Sequence, residues 1–300
     1  MPAGGIPFSI REMIQMNETS FAELKKFKDQ YQCDYSIGDL TPTICEINNW
    51  EIPAECGAIP IPVIVDHAQR IFGGEGKNQK TFIYCPDAVG EIHRQHYPEL
   101  LARVEKVAGI RLLSTGVMPS VTPVCFGTIF SGASPEVHGI KQYAKPVLTV
   151  QTLFDSAVKA GKKAAIVSVN ECSIDRIFRN RNIDYYSLCS DARCREMCEK
   201  IMRNDDYDMI VCYSTDYDHL SHVTGCDSEE SVTALKNCVQ YFEDFSRLTD
   251  ELWGEYNRVL VWAPDHGNHP ISETSGTHGT NTADDMLVNH FYKLTPGKKN

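Results

Sequence analysis

The sequence predicts an α/β protein with a mostly parallel central sheet that is covered by helices on both faces. Segments with helix and strand patterns alternate in the second half of the chain, with helices near 151–160, 191–203 and 228–252 and strands at 163–169, 209–213 and 258–262. Alternation of this kind favours parallel strands joined by helical crossovers. No internal repeat or long linker divides the 300 residues, so we expect a single domain over 1–300.

Composition narrows the classes of partner. The formal net charge of −11 opposes a broad basic surface for nucleic acid. No apolar run approaches the roughly twenty residues that span a bilayer, and residues 1–5 lack the pattern of a secretion signal. The twelve cysteines are scattered, which suits a reducing compartment. We therefore expect a cytoplasmic protein without nucleic-acid or membrane partners, and composition leaves the oligomeric state open.

The first part of the chain predicts a surface helix, a strand and an insertion. A serine and a glutamate in capping-box spacing predict the helix over 20–31. The apolar run 61–65 ends in Asp66, as a buried parallel strand does when it presents a carboxylate at its carboxyl end. Residues 67–118, with a helix near 99–107, are expected to form an insertion or cap over the active site.

A threonine opens the helix that we predict over 123–131. Thr122 precedes Pro123, which is favoured in the first turn of a helix, and Gly132 and Pro135 close the helix. At a helix N-terminus the free N–H groups and the helix dipole favour an anion. Thr122 is therefore placed to attack a bound phosphate, although an ordinary capped helix has the same local pattern.

Acidic and histidine side chains follow three of the predicted strands. They are Asp66 after the first, Asp218 and His222 after 209–213, and Asp265 and His266 after 258–262, with His278 shortly beyond. Carboxyl ends of parallel strands meet at one edge of a sheet, so we expect these groups to lie together near Thr122. Carboxylates and imidazoles bind zinc, and mixed sites also accept manganese. Two divalent ions, Zn²⁺ first and Mn²⁺ second, would clamp the oxygens of a phosphoryl displacement.

Taken in order, these motifs resemble those of the alkaline phosphatase superfamily, most closely its nucleotide pyrophosphatase/phosphodiesterase branch. The resemblance covers roughly 61–290 and includes the Ser-Gly-x-x-Pro-x-x-His-Gly-Ile tail at 131–140, the Asp-His-Gly at 265–267 and the Gly-x-His-Gly at 276–279. It implies a phospho-threonine intermediate at Thr122. It also implies two ligand sets, one of Asp66, Asp265 and His266 on the metal that binds Thr122, and the other of Asp218, His222 and His278.

Three positions depart from the family's pattern. They are Tyr217 for the usual proline before Asp218, Ser221 for the glycine before His222, and His67 for the glycine after Asp66. The ligand types stay intact, so these changes bear on the substrate pocket. Sulfatases of the superfamily carry cysteine or serine with a nearby arginine at the nucleophile, and its mutases use serine. Thr122 and Phe126 therefore argue against sulfatase chemistry, and Thr122 against the mutases.

Residues 37–47 resemble the Asp-x-x-Pro-Thr helix that family members usually carry after the Asp-His-Gly strand. Here the segment precedes the first predicted strand. We therefore hypothesise that this C-terminal helix has moved to the front of the chain by permutation. In that case 38–50 should not lie far from the strand at 258–262.

The sequence thus predicts a two-metal phosphoric-ester hydrolase, of phosphodiesterase or phosphatase type, that acts on a small phosphorylated substrate. Basic or reactive groups expected near the substrate pocket are His67, Arg70, Cys125 and His269, with Lys77, Lys80, His93, Arg94 and His96 in the expected insertion. One alternative is a phosphonate hydrolase, which a basic residue contacting a substrate carboxylate would favour. The other is a catalytically silent metal-binding protein, which the intact Thr122 and the six intact ligands oppose. The physiological substrate stays open.

Overall fold

The computed structural model describes residues 10–73 and 79–298, and ten strands, thirteen α-helices and a short 3₁₀ helix at Ile37–Asp39 lie in these ranges. The strands are β1 (Tyr35–Ser36), β2 (Gln79–Pro86), β3 (Ile110–Thr115), β4 (Ala164–Val169), β5 (Asp184–Leu188), β6 (Met209–Ser214), β7 (Asn257–Trp262), β8 (His269–Ser272), β9 (Ser275–Thr277) and β10 (Leu287–Thr295). The helices are α1 (Ile10–Tyr31), α2 (Leu40–Asn48), α3 (Pro62–Phe72), α4 (Glu91–His96), α5 (Pro98–Val107), α6 (Thr122–Ser131), α7 (Pro135–His138), α8 (Leu153–Lys159), α9 (Ser173–Ile177), α10 (Asp191–Arg203), α11 (Asp216–Thr224), α12 (Glu229–Leu252) and α13 (Ala283–Met286).

Eight of these strands form one sheet in the order β1-β3-β10-β7-β2-β6-β4-β5. Neighbours pair in parallel except at β10, which is antiparallel to both β3 and β7. Strands β8 and β9 form a separate antiparallel hairpin. The α/β class with a mostly parallel sheet is therefore confirmed.

The central strand β2 shows why the sheet needs helices on both faces. Its side chains alternate between two apolar clusters and are buried on both sides. Ile83 and Cys85 pack into the cluster that includes residues of α2, α3 and α6. Phe82 and Tyr84 pack into the cluster that includes residues of α5, α10 and α12. A strand covered on both faces has no need of polar alternation, in agreement with its continuous apolar run.

The prediction of a strand at 61–66 is wrong. Pro62 opens helix α3, where its missing N–H has no partner to lose. The buried residues recur at helical spacing, at Ile61, Ile64, Val65 and Ala68. Asp66 therefore lies on the exposed face of a helix.

The expected insertion at 67–118 is also corrected. This segment supplies β2, in the middle of the sheet between β6 and β7, and β3, which pairs with β1 and β10. The short apolar run 82–85 does not by itself distinguish a strand from a helix, and its place in the sheet depends on partners more than 100 residues away. Lys77 lies outside the described residues.

Helix α2 lies against α3, α6 and α8. Its Ile44 shares an apolar cluster with Val259 and Val261 of β7. The segment 38–50 is thus in the same core layer as the strand at 258–262, and the permutation stays a hypothesis. All twelve cysteines are free thiols. No helix in the described part of the chain has the length and apolar character needed to cross a bilayer.

Candidate active site

The candidate site forms where β2, β6 and β7 end at the same edge of the sheet. Pro86 of β2 pairs with Ser214 of β6, and Tyr84 of β2 pairs with Trp262 of β7. The three strands run in parallel, so the loops that follow them start side by side. This register brings Asp87, Asp218 and Asp265 to one edge, as expected for the carboxyl ends of parallel strands.

The first cluster consists of Asp87, Asp265 and His266, all buried. His266 Nε2 lies 3.5 Å from Asp87 Oδ1 and 3.2 Å from Asp265 Oδ2. The other oxygen of each carboxylate is already engaged. The hydroxyl of Tyr213 donates to Asp87 Oδ2, and the Ala88 N–H donates to Asp265 Oδ1 at 3.2 Å.

The second cluster consists of Asp218, His222 and His278. Asp218 Oδ1 lies 3.3 Å from His222 Nε2 and 3.5 Å from His278 Nε2. Asp218 and His222 are one helical turn apart on α11, so they share a face of that helix. His278 follows β9, and its ring stacks on that of His266 with centroids 3.9 Å apart. The two clusters are therefore in direct contact.

All three histidines have the same hydrogen-bond arrangement. The Nδ1 atoms of His222, His266 and His278 each lie 2.9 Å from a backbone carbonyl, those of Gly276, Gly267 and Ser120 respectively. A carbonyl only accepts, so each Nδ1 carries a proton and each ring points its Nε2 towards the carboxylates. This arrangement orients metal-binding histidines in proteins.

The unpaired atoms of the two clusters fit a pair of cations. Asp87 Oδ1, Asp265 Oδ2 and Asp218 Oδ1 are buried and have no hydrogen-bond partner. Each of these oxygens lies 3.2 to 3.5 Å from the Nε2 of a histidine, and for a neutral ring protonated on Nδ1 this contact is repulsive unless a cation lies between the two atoms. Buried unpaired carboxylate oxygens are costly unless they bind a cation. Oxygen and nitrogen donors of this kind match the preferences of Zn²⁺ and Mn²⁺.

The pKa values reflect this electrostatic conflict. Burial, and then the charge of the neighbouring carboxylates, raises the pKa of Asp87 and of Asp265 well above the usual range. Burial lowers the pKa of His266 well below its usual value. At Asp218 burial raises the pKa, but the close contact with His222 Nε2 and the charges of the surrounding imidazoles outweigh burial, so the pKa is lowered. The same contact with Asp218 raises the pKa of His222 to about 9, so this ring is protonated at neutral pH when no metal ion is bound.

Thr122 lies between these clusters and the open cleft. It is the first residue of α6, with Val121 as the N-cap, and it is 3 % exposed. Its Oγ1 lies 3.4 Å from Nε2 of His266. The helix closes at Gly132, which has a φ of 68°, a left-handed conformation that favours glycine. The helix therefore holds the hydroxyl at its N-terminus and beside the first cluster.

Asp66 is the one predicted ligand that the structure does not bring to the site. Asp87 occupies the position that was assigned to it, because β2 is the strand that ends beside Asp265. The signal for Asp87 was present in the sequence, since the apolar run 82–85 also ends in an acid after a single proline. Pro62 disfavours a central parallel strand at 61–65. Apart from this proline, no local feature identifies 82–85 as the better candidate for the strand.

The residues predicted for the substrate pocket lie elsewhere. His67 and Arg70 contact each other on α3, with 2.7 Å between Nδ1 and the guanidinium. His269 contacts Asp285 at 2.7 Å, and Cys125 is fully buried, which raises its pKa well above the usual value. In the expected insertion, Lys80 contacts Asp205, Arg94 contacts Glu91, and His93 is buried against Tyr217.

A cleft of about 460 Å³ opens in front of Thr122 and both clusters. Its outer wall includes residues that the sequence did not single out, namely Tyr143, Lys145, Cys172, Ser173, Thr215 and His219. Among residues 10–73 and 79–298, Lys145 is the only lysine or arginine that lines the cleft, and its ammonium donates to the Glu171 carbonyl at 2.9 Å. These residues come from three separate segments, one between α7 and α8, one after β4 and one after β6, so no local pattern marks them.

The fold is that of the alkaline phosphatase superfamily, whose members are metal-dependent phosphoester hydrolases or transferases. A family model described as type I phosphodiesterase / nucleotide pyrophosphatase matches residues 91–293. The match covers more than half of the chain, and the protein belongs to this family. It includes Thr122 and every residue of the two clusters except Asp87.

Individual relatives are distant. The chain is 22% identical over 212 residues to the catalytic subunit of human GPI ethanolamine phosphate transferase 2, covering 65% of this chain and 21% of that protein. Murine ectonucleotide pyrophosphatase/phosphodiesterase 5 has a similar structure, with a TM-score of 0.51, 15% identity, and coverage of 65% of this chain and 59% of that one. The periplasmic domain of the Campylobacter jejuni phosphoethanolamine transferase EptC gives a TM-score of 0.53, 13% identity, and coverage of 73% and 80%. At these identities the similarity defines the fold.

Proposed function

We propose that the protein cleaves phosphate esters by transferring the phosphoryl group to Thr122 Oγ1 and then to water. The observation that carries this proposal is the placement of the Thr122 hydroxyl, 3.4 Å from His266 Nε2, where two clusters with unpaired carboxylate oxygens meet. A nucleophile, a helix N-terminus and two cation sites in one cleft are the parts that phosphoryl transfer requires.

Each cluster would hold one divalent ion, Zn²⁺ first and Mn²⁺ second. Asp87, Asp265 and His266 would bind the ion beside Thr122, and Asp218, His222 and His278 would bind the other. When bound, such ions lower the pKa of a coordinated hydroxyl and neutralise the phosphoryl oxygens.

The residues of the chain orient the reaction. Helix α6 directs its first N–H groups and its positive dipole end towards an anion bound beside Thr122. A bond then forms between Thr122 Oγ1 and phosphorus, the bond from phosphorus to the leaving oxygen breaks, and the hydroxyl proton is released. Water attacks the phospho-threonine in the second step, which returns the threonine hydroxyl and frees phosphate or a phosphate monoester.

The outer cleft favours a small substrate with a further negative charge. Lys145 lines the outer part of the cleft and supplies a positive charge there, which favours a second anionic group on the substrate. The protein's net charge of −11 repels polyanions, which favours a small substrate. A phosphonate that carries a carboxylate has the same pair of charges. Phosphonate hydrolysis is therefore the second candidate, in which a carbon–phosphorus bond takes the place of the ester bond.

The test uses purified protein loaded with Zn²⁺ or with Mn²⁺ and assayed on aryl phosphate monoesters, aryl phosphate diesters and phosphonoacetate. We expect ester cleavage by the wild type, and loss of activity in Thr122→Ala but not in Thr19→Ala, an exposed threonine on α1. Acid quenching and mass spectrometry should find phosphate on Thr122. Equal rates for Thr122→Ala and wild type would contradict the proposed nucleophile, and no cleavage of any substrate would support the silent metal-binding alternative.

A second arm distinguishes hydrolysis from transfer. The names of the human relative and of the Campylobacter protein indicate transfer of an ethanolamine phosphate group. Adding ethanolamine or glycerol to the assay offers an acceptor other than water. Formation of a new phosphoester at the expense of free product would identify this chain as a transferase, whereas unchanged products support hydrolysis.

A further inference from the structure

We propose that Tyr217 is a positioning residue that fixes the two candidate metal clusters relative to each other, through hydrogen bonds to His93 and Asn268. This inference rests on the proposed function, because it assumes that the clusters bind metal ions. Tyr217 is one of the positions at which the sequence departs from the pattern of its family.

Tyr217 lies between the loops of the site without facing the cleft. It directly precedes Asp218 on α11 and is 1% exposed. Its hydroxyl lies 2.5 Å from His93 Nε2 and 3.4 Å from Asn268 Oδ1. The rings of Tyr217 and His93 meet edge to face, with centroids 4.9 Å apart and an interplanar angle of 88°. Both packing and hydrogen bonding therefore restrict the phenol.

The hydrogen bonds have a defined direction. The backbone N–H of Gly90 donates to His93 Nδ1 at 2.9 Å, so the ring proton is on Nε2. His93 Nε2–H then donates to the Tyr217 oxygen, which leaves the phenol O–H to donate to Asn268 Oδ1. Burial lowers the pKa of His93 to about 4, in agreement with a neutral ring. The Cys226 carbonyl, 3.5 Å from the phenol oxygen, is a second acceptor for the phenol proton.

The three residues belong to the three loops that carry the carboxylates of the site. His93 lies in α4, which begins four residues after Asp87, Asn268 follows Asp265 by three residues, and Tyr217 adjoins Asp218. The hydroxyl of Tyr217 thus connects the three segments that carry Asp87, Asp218 and Asp265.

The backbones of the segments after β2 and β7 also pack closely against each other at Gly90 and Gly267. A Cβ on Gly90 would lie 2.8 Å from the Cα of Gly267, and one on Gly267 would lie 1.9 Å from the carbonyl oxygen of Asp284. Hydrogen bonds that hold the supports of metal ligands commonly affect metal affinity, so loss of the phenol should weaken binding at both clusters.

Tyr217→Phe tests this inference, with Zn²⁺ and Mn²⁺ as the probes. Competition against a chromogenic chelator measures the affinity of each ion, and metal analysis of the loaded protein gives the stoichiometry. We expect the wild type to bind two ions and Tyr217→Phe to bind them about 10 to 100 times more weakly. Tyr84→Phe is the matched control, since it also removes a fully buried hydroxyl, which bonds to Ser214 at 2.8 Å. The control should bind metal as the wild type does.

Substitutions of His93 provide the second measurement. His93→Gln keeps a donor that can reach the phenol and should retain most of the affinity, whereas His93→Leu should lose part of the affinity that Tyr217→Phe loses, because the phenol can still donate to Asn268. Adding His93→Leu to Tyr217→Phe should cause little further loss, because Tyr217→Phe already removes the hydrogen bond to His93. If Tyr217→Phe fails to fold, the metal affinities of His93→Gln and His93→Leu test the positioning role without it.

The outcomes separate this inference from the proposed function. A wild type that binds no metal would contradict the two-metal function itself. A wild type that binds two ions, with Tyr217→Phe and Tyr84→Phe binding them equally well, would overturn the positioning role and leave the function intact. Equal affinities for His93→Gln and His93→Leu would overturn it as well.

Discussion

His266 and His278 stack with their ring centroids 3.9 Å apart, at an interplanar angle of 22°. His266 belongs to the cluster beside Thr122, and His278 belongs to the cluster that includes Asp218 and His222 of α11. The two candidate cation sites are therefore in contact through these two imidazole rings. A substitution in one cluster should therefore affect the other, as expected for residues in contact. Metal affinity is therefore a measurement that reports on both clusters.

Asp87→Asn and Asp66→Asn form a matched pair. Asp87 supplies a buried oxygen without a partner to the first cluster, whereas Asp66 is exposed on α3. We expect Asp87→Asn to weaken Zn²⁺ binding at least about tenfold and to lower phosphoesterase activity, because a neutral amide is a poorer ligand. Asp66→Asn should match the wild type. Chelator competition measures the affinity, and equal loss in both variants would contradict the assignment of Asp87.

Lys145→Ala should change specificity. In the described part of the chain, no lysine or arginine other than Lys145 lines the cleft, so we expect KM to rise about tenfold for substrates with a second anionic group. For aryl esters with a neutral leaving group, KM should change little. Lys141→Ala, which removes an exposed lysine paired with Glu136, is the control. A uniform change across all substrates would count against a role for Lys145 in recognition.

Gly127→Ala should destabilise the protein despite the better helix propensity of alanine. A Cβ at Gly127 would lie 2.8 Å from Cε1 of His138, whose Nε2 lies 3.1 Å from Thr128 Oγ1. Overpacking of this kind costs about 1–3 kcal/mol, more than the roughly 1 kcal/mol that alanine contributes in a helix. Gly109→Ala, where the nearest atom would be 4.0 Å away, should have little effect. Urea unfolding measures both, and a more stable Gly127→Ala protein would disprove the close packing.

Asp191 should make stability depend on pH. Its buried carboxylate accepts the N–H groups of Thr215 and Asp216, and burial, followed by the charge of Asp216, raises its pKa to about 7. The folded state then holds a proton that the unfolded state has released, so this group lowers stability as pH rises from the unfolded pKa of about 4 to about 7.

Asp191→Asn removes this linkage. In metal-free protein, the slope of the unfolding free energy against pH over this window should become less negative by up to about 1.4 kcal/mol per pH unit. Urea unfolding at several pH values measures the two slopes. Parallel curves for wild type and variant would contradict the raised pKa.

The amino-acid sequence determined the features whose signals are local. The alternation of helices and strands after residue 150, the helix that begins at Thr122, and five of the six residues in the two clusters follow from periodicity, capping residues and short motifs. These signals need no knowledge of distant partners, because helical spacing and a strand followed by its polar loop are properties of a few consecutive residues.

Tertiary structure alone decided which acid completes the first cluster and which side chains line the outer cleft. Two apolar runs ended in an acid, and only pairing of β2 with β6 and β7 selects Asp87 over Asp66. Lys145 lines the same cleft as Thr122 because the segment between α7 and α8 meets loops that follow β4 and β6 at this edge of the sheet. Strand order is a long-range property that arises from burying apolar faces across the whole chain, and no short stretch of sequence contains it.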